Sequence, residues 1–239
     1  MRRQGPESQD PEPQDPEPQD PEPQDPEPQD SEPGDGEPLP LFPLHTVLFP
    51  GGLLPLHVFE ERYRLLVKEG RDFGVVLIRH GREVGPGLGD DVHAVGTVAR
   101  LRDVEALPDG GYRVVALGLH RFRVRRLERT RPYLTAMVQP LPDDPAVRAR
   151  LRLLHLLERY LGLRGLQLAD ELTAELRGDP GVRLVWIVGS LLEAEPAKRQ
   201  QLLEAADPGL AESMLASELA KQESLGELGN VPPRPPDRN

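Results

Sequence analysis

The sequence predicts an α+β fold in which a mainly β unit with one short helix precedes an α-helical bundle. Between residues 39 and 141, short apolar runs are separated by Pro, Gly and Asp, and several of them alternate with a period of two, as strands do. After Pro140, Pro142 and Pro145 the apolar residues recur at helical spacing instead. The two periodicities therefore place strands first and helices second.

The first 37 residues differ in composition from all that follow. Four consecutive copies of Asp-Pro-Glu-Pro-Gln run from Asp10 to Gln29, and residues 1–37 hold 13 acidic and two basic residues, a net charge of −11. Residues 38–239 hold 27 of each sign, so the low pI describes the first segment and identifies no partner of the rest. Frequent proline and like charges predict a disordered, acidic, Pro-rich tail over residues 1–37.

The β unit is predicted over residues 38–143 and begins with apolar segments that contain proline. These are Leu39–Leu44 and the residues around Phe49, Pro50 and Gly51. Because proline cannot donate into the middle of a ladder, we expect edge strands and turns here.

One short helix is predicted next. Its apolar face has the spacing i, i+4, i+7 and i+8, and is formed by Phe59, Tyr63, Leu66 and Val67. We expect Glu60 to pair with Arg64 on the solvent side and Gly70 to end the helix.

The remaining strands of the β unit follow in order. Phe73–Ile78 predicts a buried strand, and residues 81–89 predict a glycine-rich loop. Residues 92–107 have an extended but imperfectly alternating pattern, so we expect a bulge near Arg100. Residues 108–111, Pro-Asp-Gly-Gly, predict a hairpin turn. Two further strands are marked by alternation, the first by Tyr112, Val114 and Ala116 and the second by Phe122 and Val124.

Residues 144–225 predict a bundle of four or five helices, and residues 226–239 predict a disordered Pro-rich C-terminal tail. Asp207 and Pro208 are typical of an N-cap and first helical residue. The apolar residues at helical spacing are Val147, Leu151, Leu154 and Leu161; Leu168, Leu172 and Leu176; Leu184, Val188 and Leu191; Leu202 and Leu203; and Leu210, Met214 and Leu219.

Seven fragments of the β unit resemble one known family, the Lon N-terminal, substrate-binding domain, in order and spacing. The helical segment through about Leu219 resembles the α-helical part of the same domain. The fragments are Leu39–Leu44, Phe49–Gly51, Leu54–Tyr63, Phe73–Val76, Val95–Ala99, Leu107–Tyr112 and Gly118–Phe122.

The resemblance implies a PUA-like β pseudo-barrel followed by a helical bundle. In Lon proteases this domain precedes an AAA+ ATPase and a Ser-Lys peptidase and helps to engage substrate proteins, and in cereblon a similar domain belongs to a ubiquitin-ligase receptor. The resemblance therefore predicts a stand-alone, non-catalytic module that binds client or unfolded proteins and recruits or sequesters them, with a protease encoded elsewhere as a partner.

The residues themselves give no sign of an enzyme or of a cofactor. The three lysines, Lys68, Lys198 and Lys221, follow valine or alanine, whereas a Walker A loop needs Gly-Lys. The surroundings of the serines do not resemble the Lon peptidase motif. There is no cysteine, and the six histidines lie singly, without the paired spacing of a zinc site. We expect no catalytic, cofactor or metal residue.

Two surfaces are candidates for binding. Pro50, Gly51, Gly52, Leu53 and Leu54 form a predicted surface loop that offers apolar groups to an unfolded peptide, although most of the apolar residues between Phe42 and Phe59 are expected to be buried. The basic run Arg121, Arg123, Arg125 and Arg126 is a candidate basic surface.

The basic run leaves alternatives open. On a PUA-like fold it would hold RNA through phosphate contacts, although the neutral body makes nucleic acid the lesser prediction. Contact between the acidic tail and this run is a further hypothesis. A small-ligand pocket inside the pseudo-barrel is the third alternative.

The sequence favours a cytoplasmic protein. Met1, Arg2 and Arg3 precede polar residues instead of an apolar signal core, and no apolar run approaches the roughly 18 residues that span a bilayer. The oligomeric state is not predicted.

Overall fold

The computed structural model describes residues 38–80, 91–129, 131–147, 149, 151–178 and 180–229, with side chains up to residue 222. The predicted N-terminal tail and glycine-rich loop lie outside these residues, as does most of the C-terminal tail. The elements are β1 Leu39–Leu44, β2 Leu53–Val58, α1 Glu61–Glu69, β3 Phe73–His80, β4 Asp91–Ala106, β5 Tyr112–Glu128, β6 Thr135–Leu141, α2 Leu151–Gly162, α3 Asp170–Gly178, α4 Arg183–Leu191, α5 Pro196–Ala205 and α6 Pro208–Gly229.

The six strands form one sheet in the order β2-β5-β4-β3-β1-β6, and a further pairing of β5 with β6 closes five of them into a ring. The β1–β3 pairing is parallel and the others are antiparallel. Within the described residues β2 pairs with β5 alone, from Leu53 opposite Leu117 to Val58 opposite Tyr112. The β unit is therefore a closed five-stranded sheet with β2 added as an edge strand beside β5.

Closure depends on the length of β5. The two strands predicted for residues 112–128 are one continuous strand of 17 residues. Its first half pairs with β2 and β4, and its second half pairs with β4 and β6. Register shifts between Thr97 and Ala99 and between Leu101 and Asp103 of β4 lie on either side of Arg100, which confirms the predicted irregularity. Such shifts increase the local twist and allow a long strand to bend around a barrel.

The prediction of an edge strand for residues 39–44 was wrong. β1 is buried throughout and lies between β3 and β6. The N–H of Leu41 donates to the Leu134 carbonyl at 2.8 Å, and Pro43, two residues later, directs its nitrogen to the same side of the strand. The ladder with β6 covers Leu39 and Pro40 only. Pro43 thus interrupts no ladder there.

The short helix α1 covers one end of the closed sheet. Tyr63, Leu66 and Val67 are buried, as the helical spacing predicted. Gly70 ends the helix with φ 64° and donates its N–H to the Val67 carbonyl at 3.2 Å. A residue with a Cβ is strained in this left-handed conformation, which is why glycine is common at this position.

Two details at the start of α1 differ from the prediction. Phe59 precedes the helix and is 53% exposed, so it is not part of the buried face. Glu60 pairs with Arg62 at 3.0 Å instead of Arg64, because Glu60 is the extended N-cap residue and its side chain does not follow the helical spacing.

In the part of the chain that the structure describes, five helices follow the sheet, in agreement with the predicted four or five. α2 begins at Leu151, so Val147 lies outside it, and α6 extends to Gly229, into the segment predicted as tail. Leu151 and Leu191 are 49% and 41% exposed. Most of the other predicted positions are buried as expected, namely Leu154, Leu161, Leu176, Leu184, Val188, Leu202, Leu203 and Leu219. The buried faces of α2 and α4 also include Leu153, Leu157, Tyr160, Val185 and Trp186.

Candidate functional site

The strand at the margin of the sheet, β2, exposes apolar side chains. Leu53 is 59% exposed, and Phe59, directly after the strand, is 53% exposed. Leu54 and Leu56 point the other way and pack partly buried against the core that α1 covers. This alternation follows from the period of two in a strand with one face on the core. The outer row of β2 therefore presents Leu53 and Pro55 as apolar groups, with His57 between them and Phe59.

A small groove of about 180 Å³ adjoins this strand. Its floor includes Phe42 and Tyr63, whose rings stack with centroids 4.0 Å apart and planes 11° from parallel. Its rim includes His57 and Phe59, whose rings are 5.9 Å apart. A space of this size is smaller than the roughly 300–1,000 Å³ of small-molecule sites. It fits one inserted side chain better than a whole ligand.

The free edge of β2 is poorly suited to adding another strand. Gly118 donates to the Gly52 carbonyl at 2.9 Å, so Gly52, Leu54 and Leu56 direct their polar groups toward β5. The intervening residues direct theirs toward the free edge. One of these is Pro55, which has no N–H to donate. Recognition here would rest on side chains more than on a backbone ladder.

The candidate segment Pro50–Leu54 is only partly a surface loop. Leu53 and Leu54 belong to β2, and Gly52 is buried. A Cβ on Gly52 would lie 2.9 Å from the Ser190 hydroxyl oxygen and 3.0 Å from the Phe49 carbonyl oxygen. Gly52 is thus a packing residue where the sheet meets α4, and the loop prediction was wrong there.

The preceding residue Phe49 joins the sheet to the bundle. It is 1% exposed and belongs to the core of the helices. Its ring centroid lies 6.2 Å from that of Trp186, and a Cβ on Gly189 would lie 2.4 Å from the Phe49 ring. The glycine in α4 therefore leaves the space that the phenylalanine fills.

Two polar side chains of α5 form hydrogen bonds at the same junction between the sheet and the helices. Arg199 donates to the Gly189 carbonyl and to the Val47 carbonyl, each at 3.1 Å, and burial lowers the pKa of its guanidinium. Gln200 is 1% exposed and donates to the Val95 carbonyl at 2.9 Å. These residues were missed from the sequence because helical spacing shows only that a polar residue lies between apolar ones.

Arg121 belongs to this junction, which corrects its prediction as a surface residue. It is 7% exposed and donates to the Leu203 carbonyl at 3.0 Å and to Asp143 at 3.3 Å. Its guanidinium carbon lies 4.8 Å from the centre of the Trp186 ring. Burial lowers the Arg121 pKa, and the Asp143 carboxylate acts in the opposite direction. Its side chain stays charged because arginine keeps its proton in proteins.

Arg123, Arg125 and Arg126 are exposed, as predicted, and we call them the arginine surface. Arg125 donates to the neutral side chain of Gln139 on β6. Arg126 pairs with Glu128 at 2.6 Å. The candidate basic surface therefore has three arginines instead of the four that the sequence predicted.

The interior of the closed sheet is filled by side chains. Leu41, Val98, Phe122 and Ala136 are at most 1% exposed and form one cluster. A Cβ on Gly96 would lie 2.8 Å from the Phe122 ring. This packing gives no support to a small-ligand pocket inside the barrel.

A larger cleft of about 880 Å³ lies in the helical part, between the α4–α5 connection and α6. Its lining combines apolar side chains such as Leu210 and Met214 with charges of both signs, such as Glu193 and Lys198. The mixed lining indicates no particular ligand.

Among the residues that the structure describes, no group of three or more His, Asp or Glu side chains could hold a metal ion. None of the helices in this part of the chain is both long and apolar enough to cross a membrane.

A closed sheet with a marginal strand, joined to a helical bundle through buried arginine and glutamine contacts, defines a two-part α+β module whose most distinctive surface is apolar. The chain belongs to the family of the ATP-dependent protease La (LON) substrate-binding domain, whose family model matches residues 38–219. This match confirms the resemblance noted in the sequence.

Individual proteins that are similar to this chain are also Lon proteases or Lon N-terminal domains. The Lon protease of Desulfovibrio desulfuricans is 33% identical over 183 residues, which are 71% of this chain and 20% of that protein. A Lon N-terminal domain protein from Xanthomonas campestris, with a crystal structure, is 31% identical with a TM-score of 0.54, over 75% of this chain and 98% of that one. The N-terminal domain of Mycobacterium avium complex Lon protease is similar in fold, with 18% identity and a TM-score of 0.54, over 76% and 97%. The chain spans about a fifth to a quarter of the length of its curated Lon relatives.

Proposed function

We propose that this chain is a non-catalytic module that binds unfolded or client proteins along β2 and the adjoining groove. The observation that carries the proposal is the exposure of Leu53 at the start of β2 and of Phe59 directly after it, both above one half, with a groove that has an aromatic floor beside Phe59. Large exposed apolar groups along one strand, rimmed by polar residues, are a common feature of interaction sites. Membership of a substrate-binding domain family supports the same function.

The geometry favours recognition of extended segments with spaced apolar side chains. One side chain of the client would enter the groove above the Phe42–Tyr63 stack, and a second would lie against Leu53. The lack of a donor at Pro55 disfavours a continuous ladder, so affinity would depend on apolar burial. This mode suits many unfolded clients because it requires few specific polar partners.

The wider setting is part of the same proposal. The module would act in the cytoplasm and recruit or sequester clients for a protease encoded elsewhere, and the closed sheet would be the pseudo-barrel of a PUA-like fold. RNA binding is less well supported, because Arg121 is buried against α5 and only three arginines of the run are exposed.

Replacing Leu53 with aspartate is expected to weaken binding of a fluorescently labelled unfolded casein by roughly tenfold. Burial of a leucine side chain contributes about 1.5–3 kcal/mol, and Leu53 is already partly covered, so a loss near 1.4 kcal/mol, or tenfold, is expected. The measurement is a fluorescence anisotropy titration at constant salt.

Leu163→Asp is the matched control. Leu163 is 55% exposed and follows α2 in the helical part of the chain, so the same change of charge and size is made at similar exposure. Casein binding should stay within twofold of the unmodified chain, about 0.4 kcal/mol. Equal weakening by both variants would contradict the proposed site.

A further inference from the structure

The cleft of about 880 Å³ between the α4–α5 connection and α6 has the volume of a small-molecule site, for which roughly 300–1,000 Å³ is typical. The mixture of residue types in its lining indicates no ligand. The charges in the lining differ, however, in whether neighbouring side chains neutralise them. This difference is informative, because charges withdrawn from water are normally paired.

Two acids of the cleft are neutralised by ion pairs within the protein. Glu193 accepts a hydrogen bond from Arg164 at 2.9 Å, and this bond lowers the pKa of the Glu193 carboxyl. Glu218 pairs with Lys221 at 3.1 Å. Neither acid is therefore left to compensate the other charges of the cleft.

The other charges in the lining are two cations and one acid, none of which has an ion-pair partner among the described residues. Lys198 and Glu195 are exposed, and Arg199 is partly buried. Burial lowers the pKa of the Arg199 guanidinium, and no described carboxylate acts in the opposite direction. The side chain nevertheless keeps its proton, as arginine does in proteins. The cleft therefore has an excess of one positive charge.

The guanidinium of Arg199 has donors left for a ligand. Its Nε and Nη2 donate to the carbonyls of Gly189 and Val47, whereas Nη1 donates to no described acceptor. Nη1 is also not one of the buried atoms that lack a partner, so it lies where solvent or a ligand reaches it. Because Arg199 and Lys198 both line the cleft, their free N–H groups are available to an anion there.

Apart from its one ion pair, the α6 side of the cleft is apolar or small. Leu210 and Met214 are partly buried and lie about one helical turn apart. Ser213 and Ser217 line the same side and take little space. Leu191, at the end of α4, is 41% exposed and adds a further apolar side chain. Such a wall favours an aliphatic group, because binding removes apolar surface from water.

We propose that this cleft binds a carboxylate carried by an apolar group. The carboxylate accepts hydrogen bonds from Arg199 and Lys198, and the apolar group lies against Leu210 and Met214. Hydrogen bonds between such charged groups are stronger than those between neutral ones. A free aliphatic acid and the C-terminal residue of a polypeptide share this chemistry. The inference does not rest on the proposed client binding along β2, because the cleft belongs to the helical part.

Chemical-shift titrations of the 15N-labelled full chain test the proposal with two pairs of probes. One pair is octanoate and octanol, and the other is the peptide acetyl-Gly-Ser-Gly-Leu-Leu with a free C-terminal carboxylate or a C-terminal amide. The acid of at least one pair should bind about tenfold more tightly than its neutral counterpart, as expected for a hydrogen bond to a charged group. It should also shift the amide signals of the cleft lining. A preference in one pair identifies the free acid or the peptide end as the source, and no preference in either pair would overturn the proposal.

Charge variants test the cations without disturbing the fold. Lys198→Gln should weaken binding of the acid about threefold, the size expected for one exposed ion pair, and leave the neutral probes unchanged. Lys68→Gln removes the same charge from an exposed position on α1 and should have no effect. Glu195→Gln should strengthen binding of the acid, because it removes the one unpaired negative charge. Arg199 is not substituted, because its hydrogen bonds join the sheet and the helices.

A steric variant tests the place of binding. Ser217→Phe fills the cleft and should abolish binding of the acid and of its neutral counterpart. Ala216→Phe introduces the same ring at the neighbouring exposed position of α6, which does not line the cleft, and should leave binding unchanged. Acid binding that persists in Ser217→Phe, or that does not respond to Lys198→Gln, would overturn the assignment of this cleft.

Discussion

Replacing Phe49 with alanine is expected to lower the free energy of unfolding by about 3–5 kcal/mol. The side chain is 1% exposed, contacts Trp186 and fills the space above Gly189, so its removal leaves a cavity between sheet and bundle. In a domain of this size each kcal/mol corresponds to roughly 2–4 °C in Tm. Chemical denaturation followed by tryptophan fluorescence measures the effect well, because Trp186 is the only tryptophan.

Phe59→Ala is the matched control for this prediction. The same atoms are removed at a position that is 53% exposed, and changes on the surface usually alter stability by less than about 0.5 kcal/mol. Equal destabilisation by the two variants would contradict the assignment of Phe49 as the residue that joins sheet and bundle. Because Phe59 lines the proposed client groove, the control should weaken casein binding while leaving Tm nearly unchanged.

Replacing Arg121 with alanine is expected to cost about 2–4 kcal/mol of stability. The change removes a buried cation and leaves the Leu203 carbonyl without its donor. An unsatisfied buried acceptor costs about 1–3 kcal/mol, and loss of one partner of a buried pair costs about 3–5 kcal/mol. We take a value below the sum because the Asp143 side chain is 38% exposed and keeps its bond from the Trp186 ring nitrogen at 3.0 Å.

Arg123→Ala provides the comparison two residues along the same strand. It removes the same side chain from an exposed position, so thermal unfolding should change by no more than about 0.5 kcal/mol. The two variants should also differ in how much the change in unfolding free energy depends on salt. That dependence should be greater for Arg123→Ala, because exposed charges are screened far more than buried ones. If Arg123→Ala proved the more destabilising of the two, Arg121 would not be the arginine that holds α5 against the sheet.

The elements that sequence reasoning predicted well are those defined by neighbouring residues. The buried face of α1, its end at Gly70 and the irregularity around Arg100 all follow from local spacing or local backbone preference. The hairpin turn is similar, since Gly110 has φ 81° and Asp109 accepts the Gly111 N–H at 2.9 Å. Each of these depends on contacts within a few residues.

The errors concern residues whose surroundings come from distant parts of the chain. Arg121 has the alternation of a surface strand residue, yet the Leu203 carbonyl that it binds is 82 positions away. The error at Phe59 is local instead, because Phe59 has the spacing of a helix face but the helix begins after it. Leu39–Leu44 contains prolines, yet it is an inner strand. Its ladder with β6 stops at Pro40, which lies opposite Thr135, so Pro43 does not have to donate a hydrogen bond to β6.

By itself the sequence determined the class of fold, the order of strands and helices and the family. These follow from periodicity and turn residues, which act over short distances and do not depend on tertiary contacts. Only the tertiary structure decided which arginine is buried, that β5 and β6 close the sheet, and that Leu53 and Phe59 are exposed, with a groove beside Phe59. Burial is set by which surfaces meet after folding, and a residue's own neighbours in the chain carry little information about that.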